Sequence, residues 1–159
     1  MLKRERFEVE YWYLFEEYGL GTTIWSPLCG GLLTGKYNDG VFPADSRAAK
    51  GKYNPEFQDL FTEEKKKATC AMLTALGAIA KEMGFSQAQL ALAWTLANKN
   101  VSVALFGSTK LSQIDDNVKA IKCLDKLTPE ILARIEKILN NRPAAPMDMR
   151  TLGPGKPRR

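Results

Sequence analysis

The sequence predicts an α/β fold built from parallel strand–helix units. Thr22–Trp25 is a short β-branched apolar run that reads as a strand buried on both faces, and residues 101–106 form a second β-branched strand. The segments around them carry apolar residues at helical spacing. The order is helix, strand, long loop, helices, strand, helices, and that alternation argues for parallel βα units. Two strands cannot close a sheet or cover their own faces, so the pattern is expected to be part of a barrel or an open sheet.

Each element has a local cause. Residues 4–18 place Phe7, Tyr11, Leu14, Phe15 and Tyr18 on one helical face, and Gly19 and Gly21 end that helix. The first strand stops at Ser26-Pro27. Residues 35–54 are rich in Gly, Pro, Asn and Asp and read as a long loop. Thr62 is expected to cap the next helix, which runs to Gly84 with Glu63 and Glu64 at its positive end. Met72, Leu73, Leu76, Ile79 and Trp94 read as core. Ser86 and Gln89 form a capping box ahead of a helix apolar on most faces. After the second strand, a short helix is expected from Leu111 to about Ile121. Thr128, Pro129 and Glu130 open a last amphipathic helix ending at Leu139.

Composition narrows the function. The 159 residues suit one domain, with 45% apolar and 26% charged residues. No apolar run reaches the ~18 residues of a membrane span, and the charged start lacks a secretory h-region. Membrane insertion is therefore not expected. Three cysteines, Cys29, Cys70 and Cys123, lie far apart, which supports neither a zinc site nor a disulfide framework and suits a reducing cytoplasm. Histidine is absent, which removes His-based triads and HExxH zinc sites. The net charge of +5 owes much to the end of the chain. The stretch 143–159 reads as a basic, disordered tail, and no nucleic-acid-binding motif accompanies it.

Gly30 to Lys36 matches seven positions of the P-loop pattern GxxxxGK. The eighth residue is Tyr37, where a hydroxyl for magnesium is required. A triphosphate loop is therefore not expected.

Three motifs then stand in register: Trp25-Ser26-Pro27-Leu28-Cys29-Gly30 running on to Lys36-Tyr37, Gln89 to Trp94, and Gly107-Ser108-Thr109 followed by Gln113, Asp116 and Asn117. Together they resemble the aldo-keto reductase family, and within it the β subunits of voltage-gated potassium channels with their plant and protist relatives. Arg4, Glu5, Arg6, Glu8, Val9 and Glu10 carry the same likeness. It covers about residues 1–142 as a partial oxidoreductase domain. The resemblance implies the C-terminal portion of a (β/α)8 TIM barrel, about strands seven and eight with their helices. It implies NADPH as cofactor. Trp25 would stack on the nicotinamide. Ser26, Pro27, Leu28, Cys29 and Gly30 would bring backbone to the pyrophosphate, with Lys36 as a point charge and Arg47 on the closing loop. Gly107, Thr109, Gln113, Asp116 and Asn117 would hold the adenosine 2′-phosphate end. Asp45 stands near a family aromatic and departs from it. From local sequence alone, Trp25 also reads as a core residue, Lys36 and Arg47 as solvated loop cations, and Gly107 to Thr109 as an ordinary helix start.

The family's catalytic Asp, Tyr, Lys and fourth residue have no counterpart in this stretch, so no catalytic residue is assigned. The chain by itself is expected not to turn over a carbonyl substrate. The function implied is an NADPH-dependent oxidoreductase portion. The rival readings are a redox-sensing auxiliary subunit of a channel α subunit, tetrameric by family, and an inactive truncated form.

Overall fold

The computed structural model describes residues 1–51, 55–144, 147–148 and 153–154. It is α/β, and its main sheet has two parallel strands, β1 (Thr22–Trp25) and β2 (Val101–Leu105). Thr23 pairs with Val103, Ile24 with Ala104 and Trp25 with Leu105. The expected parallel unit is present.

The expectation that the first strand is buried on both faces is corrected. Ile24 and Ala104 are half-buried, whereas Thr23, Trp25, Val103 and Leu105 are exposed. Helices cover one face of the sheet, and in the described residues nothing covers the other. A β-branched run of four or five residues fits a pleated surface that packs on one face as well as one that packs on two.

The first helical segment is also corrected. Residues 4–18 do not form one regular helix. A π-type turn, Arg6–Glu10, runs through Tyr11 into α1 (Trp12–Tyr18). The Tyr11 N–H donates to Arg6 five residues back, at 3.0 Å. Arg4, just ahead of this turn, is buried. Its guanidinium donates to both Glu8 oxygens at 2.9 Å, to Glu136 at 2.7 Å and to Asn141 at 3.2 Å. It also lies 5.3 Å from the centroid of the Trp94 ring. This clasp ties the start of the chain to its last helix. Phe15 packs on Phe7 (ring centroids 5.0 Å apart), but Tyr11, Leu14 and Tyr18 stay exposed. Gly19 ends α1 in the left-handed conformation, as expected.

Between the expected loop and α3 stands a short helix that the sequence reading missed, α2 (Pro55–Leu60). Thr62 then precedes α3 (Glu63–Glu82), but its hydroxyl donates back to the Asp59 carbonyl at 3.1 Å and does not cap. Glu63 and Glu64 still sit in the first turn, where the helix dipole favours them. The helix α4 (Gln87–Leu96) has the expected capping box and is buried along nearly its whole length. It lies at the centre, against β2, α3, α5 (Leu111–Val118) and α6 (Ala120–Leu124). The helix expected to end near Ile121 thus splits at Lys119 and runs on to Leu124. Thr128 caps α7 (Pro129–Leu139) by accepting from the Ile131 N–H, with Pro129 in the first turn.

Leu73, Leu76, Ile79 and Trp94 are buried as expected, and Met72 packs partly buried against them. The tail expected beyond residue 142 falls largely outside the described residues. Met147–Asp148 and Gly153–Pro154, which are described, pair antiparallel as β3 and β4.

Candidate functional site

Both sequence-predicted clusters lie at the C-terminal ends of the two parallel strands, the end that carries function in α/β barrels. The first begins at Trp25, the last residue of β1, which is 80% exposed. The alternative of a core tryptophan is therefore overturned. Ser26 (φ 52°) and Cys29 (φ 48°) adopt left-handed backbone, a conformation that costs a non-glycine residue about 1 kcal/mol or more. Gly30 (φ 63°) and Gly31 (φ 98°) continue it within the 3-10 segment Cys29–Thr34. Leu32 and Leu33 anchor the segment in the core. A tightly curled main chain thus rises from β1 beside an exposed aromatic face.

Lys36 folds back over this curl. Its Nζ lies 4.9 Å from the Tyr37 ring centroid, and a side chain at Gly31 would come within 2.6 Å of it. A turn, with no helix, follows Lys36, so no P-loop is built. Tyr37 is fully buried. It stands at the centre of an aromatic cluster with Phe42, Phe57 and Phe61, at ring separations of 5.6, 5.5 and 6.4 Å. The residue that breaks the P-loop pattern therefore fastens the long loop to α2 and to the turn that follows it.

That loop carries Arg47 on its surface, between buried Ser46 and Ala48. Asp45, which sequence reasoning set aside, reaches the second cluster: Lys110 Nζ stands 3.7 Å from its carboxylate. The ion pair is exposed, so its energy is small. Its value is positional, since it brings the loop after β1 against the loop after β2.

The second cluster opens on Gly107, around which nothing lies within 4 Å of where a side chain would start. Ser108 Oγ is buried and lacks a hydrogen-bond partner among the described residues. Gln113 Oε1 accepts from the Thr109 N–H (2.9 Å), the Lys110 N–H (3.3 Å) and the Thr109 hydroxyl (3.4 Å). Gln113 therefore caps its own helix, and its amide NH2 is the group left for a ligand. Asp116 is engaged elsewhere. Its carboxylate accepts from the Ser86 hydroxyl at 2.9 Å and from Gln89 Nε2 at 2.8 Å, and its carbonyl accepts from the same amide. The α4 capping box is thus extended into a lock between α4 and α5. Asn117 is buried on the same side.

The structure brings Trp25, Ser26, Pro27 and Cys29 to a cavity of ≈ 340 Å³ beside the chain's first residues, bounded also by Phe7, Leu60 and Trp94. Lys36, Arg47 and the Gly107 to Gln113 loop lie outside it. Sequence reasoning passed over Ser108 and Asp45. Ser108 stood inside a quoted motif and had a signal; Asp45 had none, because its partner lies 65 residues away in the chain.

A family model described as "Aldo/keto reductase family" matches residues 1–140. Curated relatives include a "Probable voltage-gated potassium channel subunit beta" of Arabidopsis thaliana, 40% identical over 94% of this chain and 44% of that protein. One of the same description from Oryza sativa subsp. japonica is 42% identical over 90% of this chain and 42% of its own length. A similarly described protein of Schizosaccharomyces pombe is 45% identical over 89% of this chain and 40% of its own. Among solved structures, a glycerol dehydrogenase from Gluconobacter oxydans aligns with TM-score 0.58 and 28% identity, over 85% of this chain and 39% of that one. The chain spans under half the length of the curated relatives it matches.

Proposed function

This chain belongs to the aldo/keto reductase family, as the C-terminal portion of its TIM barrel, and on that premise we propose that its strand-end loops cradle NADPH in an oxidoreductase. The observation that carries the proposal is the approach of the two loops across Asp45 and Lys110. It brings the loop after β1, which carries Lys36 and Arg47, to the loop after β2, which carries Lys110. A dinucleotide with an added phosphate needs an aromatic platform, backbone N–H groups and cations. The buried Ser108 hydroxyl and the open space at Gly107 fit a phosphate oxygen approaching the start of α5. Trp25 would stack on the nicotinamide, Ser26 to Gly30 and Lys36 would meet the pyrophosphate, and Arg47, Thr109 and Gln113 the adenosine phosphate. Asp116 and Asn117 would act by holding α5 in place. When bound, the cofactor supplies two electrons to a carbonyl group. The residues here supply binding and orientation; the family's proton-donating set has no counterpart in this stretch.

A second reading, as part of an auxiliary subunit of a voltage-gated potassium channel, is favoured by the descriptions of the three curated relatives. That reading adds a cytoplasmic location and a homotetramer docked on a channel α subunit.

The test is calorimetric titration of the full chain with NADPH and with NADH. Binding of NADPH is expected, weakened about tenfold by Arg47→Ala through loss of one charged phosphate contact. NADH should bind less tightly than NADPH. Aldehyde reduction by the chain alone is expected to be absent. No heat at millimolar NADPH, or equal affinity of the Arg47 variant, overturns the cofactor reading.

A further inference from the structure

The two strand-end loops meet across Asp45 and Lys110, but an exposed pair of this kind contributes little. A second connection runs through the first turn of α4. This helix packs on β2 and runs into it by a short connection, so its first turn stands at the end of the sheet where the strands finish. Ser86 and Gln89 of that turn hold Asp116 of α5. Gln87, between them, reaches the loop after β1. Its Oε1 accepts from Asn38 Nδ2 at 2.9 Å. Asn38 directly follows Lys36 and Tyr37, and its carbonyl accepts from the Thr74 hydroxyl of α3 at 3.4 Å.

The Asn38–Gln87 contact is kept against local stability. Gln87 is buried, and Asn38 Oδ1 and Gln87 Nε2 are buried atoms without a hydrogen-bond partner among the described residues. A buried amide atom left unmet is unfavourable. Two glycines make room for the pair. A side chain at Gly35 would start 3.2 Å from Gln87 Oε1. One at Gly77, inside α3, would start 2.8 Å from the same oxygen and 3.2 Å from Asn38 Nδ2. Glycine weakens a helix interior relative to alanine. Nothing local to α3 calls for a glycine at 77, and the amide pair lying against it does. The loop, α3 and α4 each give up stability to one contact, which is a mark of function.

We propose that Asn38 and Gln87, with Gly77 as the space they need, are positioning residues that latch the loop after β1, and Lys36 with it, to the same turn of α4 that holds α5. They act through the backbone that carries Lys36, without contact to the ligand. The identity of the ligand rests on the NADPH reading; the latch itself does not.

The test uses the full chain and the variants Gln87→Met, which keeps the bulk and removes the amide, Gln87→Ala, Gly77→Ala, and the last two combined. Hydrogen exchange without nucleotide reads the loop, thermal melting reads the whole fold, and calorimetric titration with NADPH reads the site. In Gln87→Met and Gly77→Ala the amides of residues 35–40 are expected to exchange about tenfold faster, and NADPH to bind about tenfold more weakly, as for one lost buried hydrogen bond. Protection of α3 in Gly77→Ala stays equal or rises, because alanine favours the helix. The combined variant, whose new methyl no longer meets the Gln87 amide, is expected to melt no lower than Gln87→Ala alone, while its loop stays loose. A purely structural contact would instead lower protection everywhere in step with the melting point, and that result overturns the proposal. So does loop exchange or NADPH affinity within about twofold of the parent in both Gln87→Met and Gly77→Ala. If the parent chain itself gives no heat with NADPH, the cofactor reading falls; faster loop exchange then still supports the latch, and unchanged exchange overturns it.

Discussion

Replacing Arg4 by Met is expected to destabilise the fold by about 3–4 kcal/mol. Only 2% of the Arg4 side chain is exposed, against 9% for Glu8 and 19% for Glu136. Burial works against the guanidinium charge, but hydrogen bonds and charge from Glu8 and Glu136 raise its pKa on balance. The guanidinium therefore stays charged, and removing it takes the cation away from two carboxylates that are largely buried. Breaking one buried pair typically costs about 3–5 kcal/mol. The partial exposure of Glu136 lets water recover part of that, and loss of the contact over Trp94 returns about 0.5–1 kcal/mol to the cost. For a chain of this length the melting point should fall by about 10 °C. The assay is urea and thermal unfolding, followed by circular dichroism and by tryptophan fluorescence so that coincidence of the two can be checked. The triple variant Arg4→Met, Glu8→Leu, Glu136→Leu is expected to regain most of the loss, because an apolar replacement of a whole buried ion cluster is often neutral or better. A single-variant loss under about 1 kcal/mol, the level of a surface pair, would refute the reasoning. So would a triple variant as unstable as the single one.

Two further outcomes follow from the ionisable groups. Burial pushes the Cys123 thiol up to about 11, with Lys126 pulling it partly back, so at pH 8 it stays a neutral thiol. Ellman's reagent should label the half-buried Cys29 and Cys70 in the folded protein and reach Cys123 only on unfolding; three fast thiols would contradict this. Hydrogen bonds and charge from Arg134, 2.6 Å away, lower the pKa of Glu82 below 4.5. A depressed folded pKa means that whatever the pair contributes is present above pH 4.5 and is lost as pH falls through the folded value. Carbon NMR titration should place the Glu82 midpoint below 4.5 and return it upward in Arg134→Gln; an unchanged midpoint would exclude the pair in solution.

The elements with local causes were legible before any coordinates. The Ser86–Gln89 box, the Thr128-Pro129 start and the left-handed Gly19 each depend on neighbours within a few residues, and each stands where the sequence put it. Thr62 looked the same and behaves differently, because the Asp59 carbonyl of the unforeseen α2 competes for its hydroxyl. At the candidate site, the positions of the two loops at strand ends were readable from glycines and strand boundaries. Which side chains turn outward was not. Asp116 and Gln113 are polar residues near a helix start in either case; only the packing of α4 on α5 directs Asp116 inward to Ser86 and Gln89, while Gln113 turns back onto the N–H groups at the start of its own helix.

The sequence by itself determined the class of fold, the parallel pairing and the motifs that carry the family likeness, since periodicity, turn residues and short-range hydrogen bonds are properties of neighbouring residues. The tertiary structure alone decided the rest. It buried Arg4 between Glu8 and Glu136, made Tyr37 the centre of an aromatic cluster, joined Asp45 to Lys110 and left Trp25 bare. These depend on contacts between residues distant in the chain, and on which neighbouring layers are present to exclude water; neither is written in any local stretch.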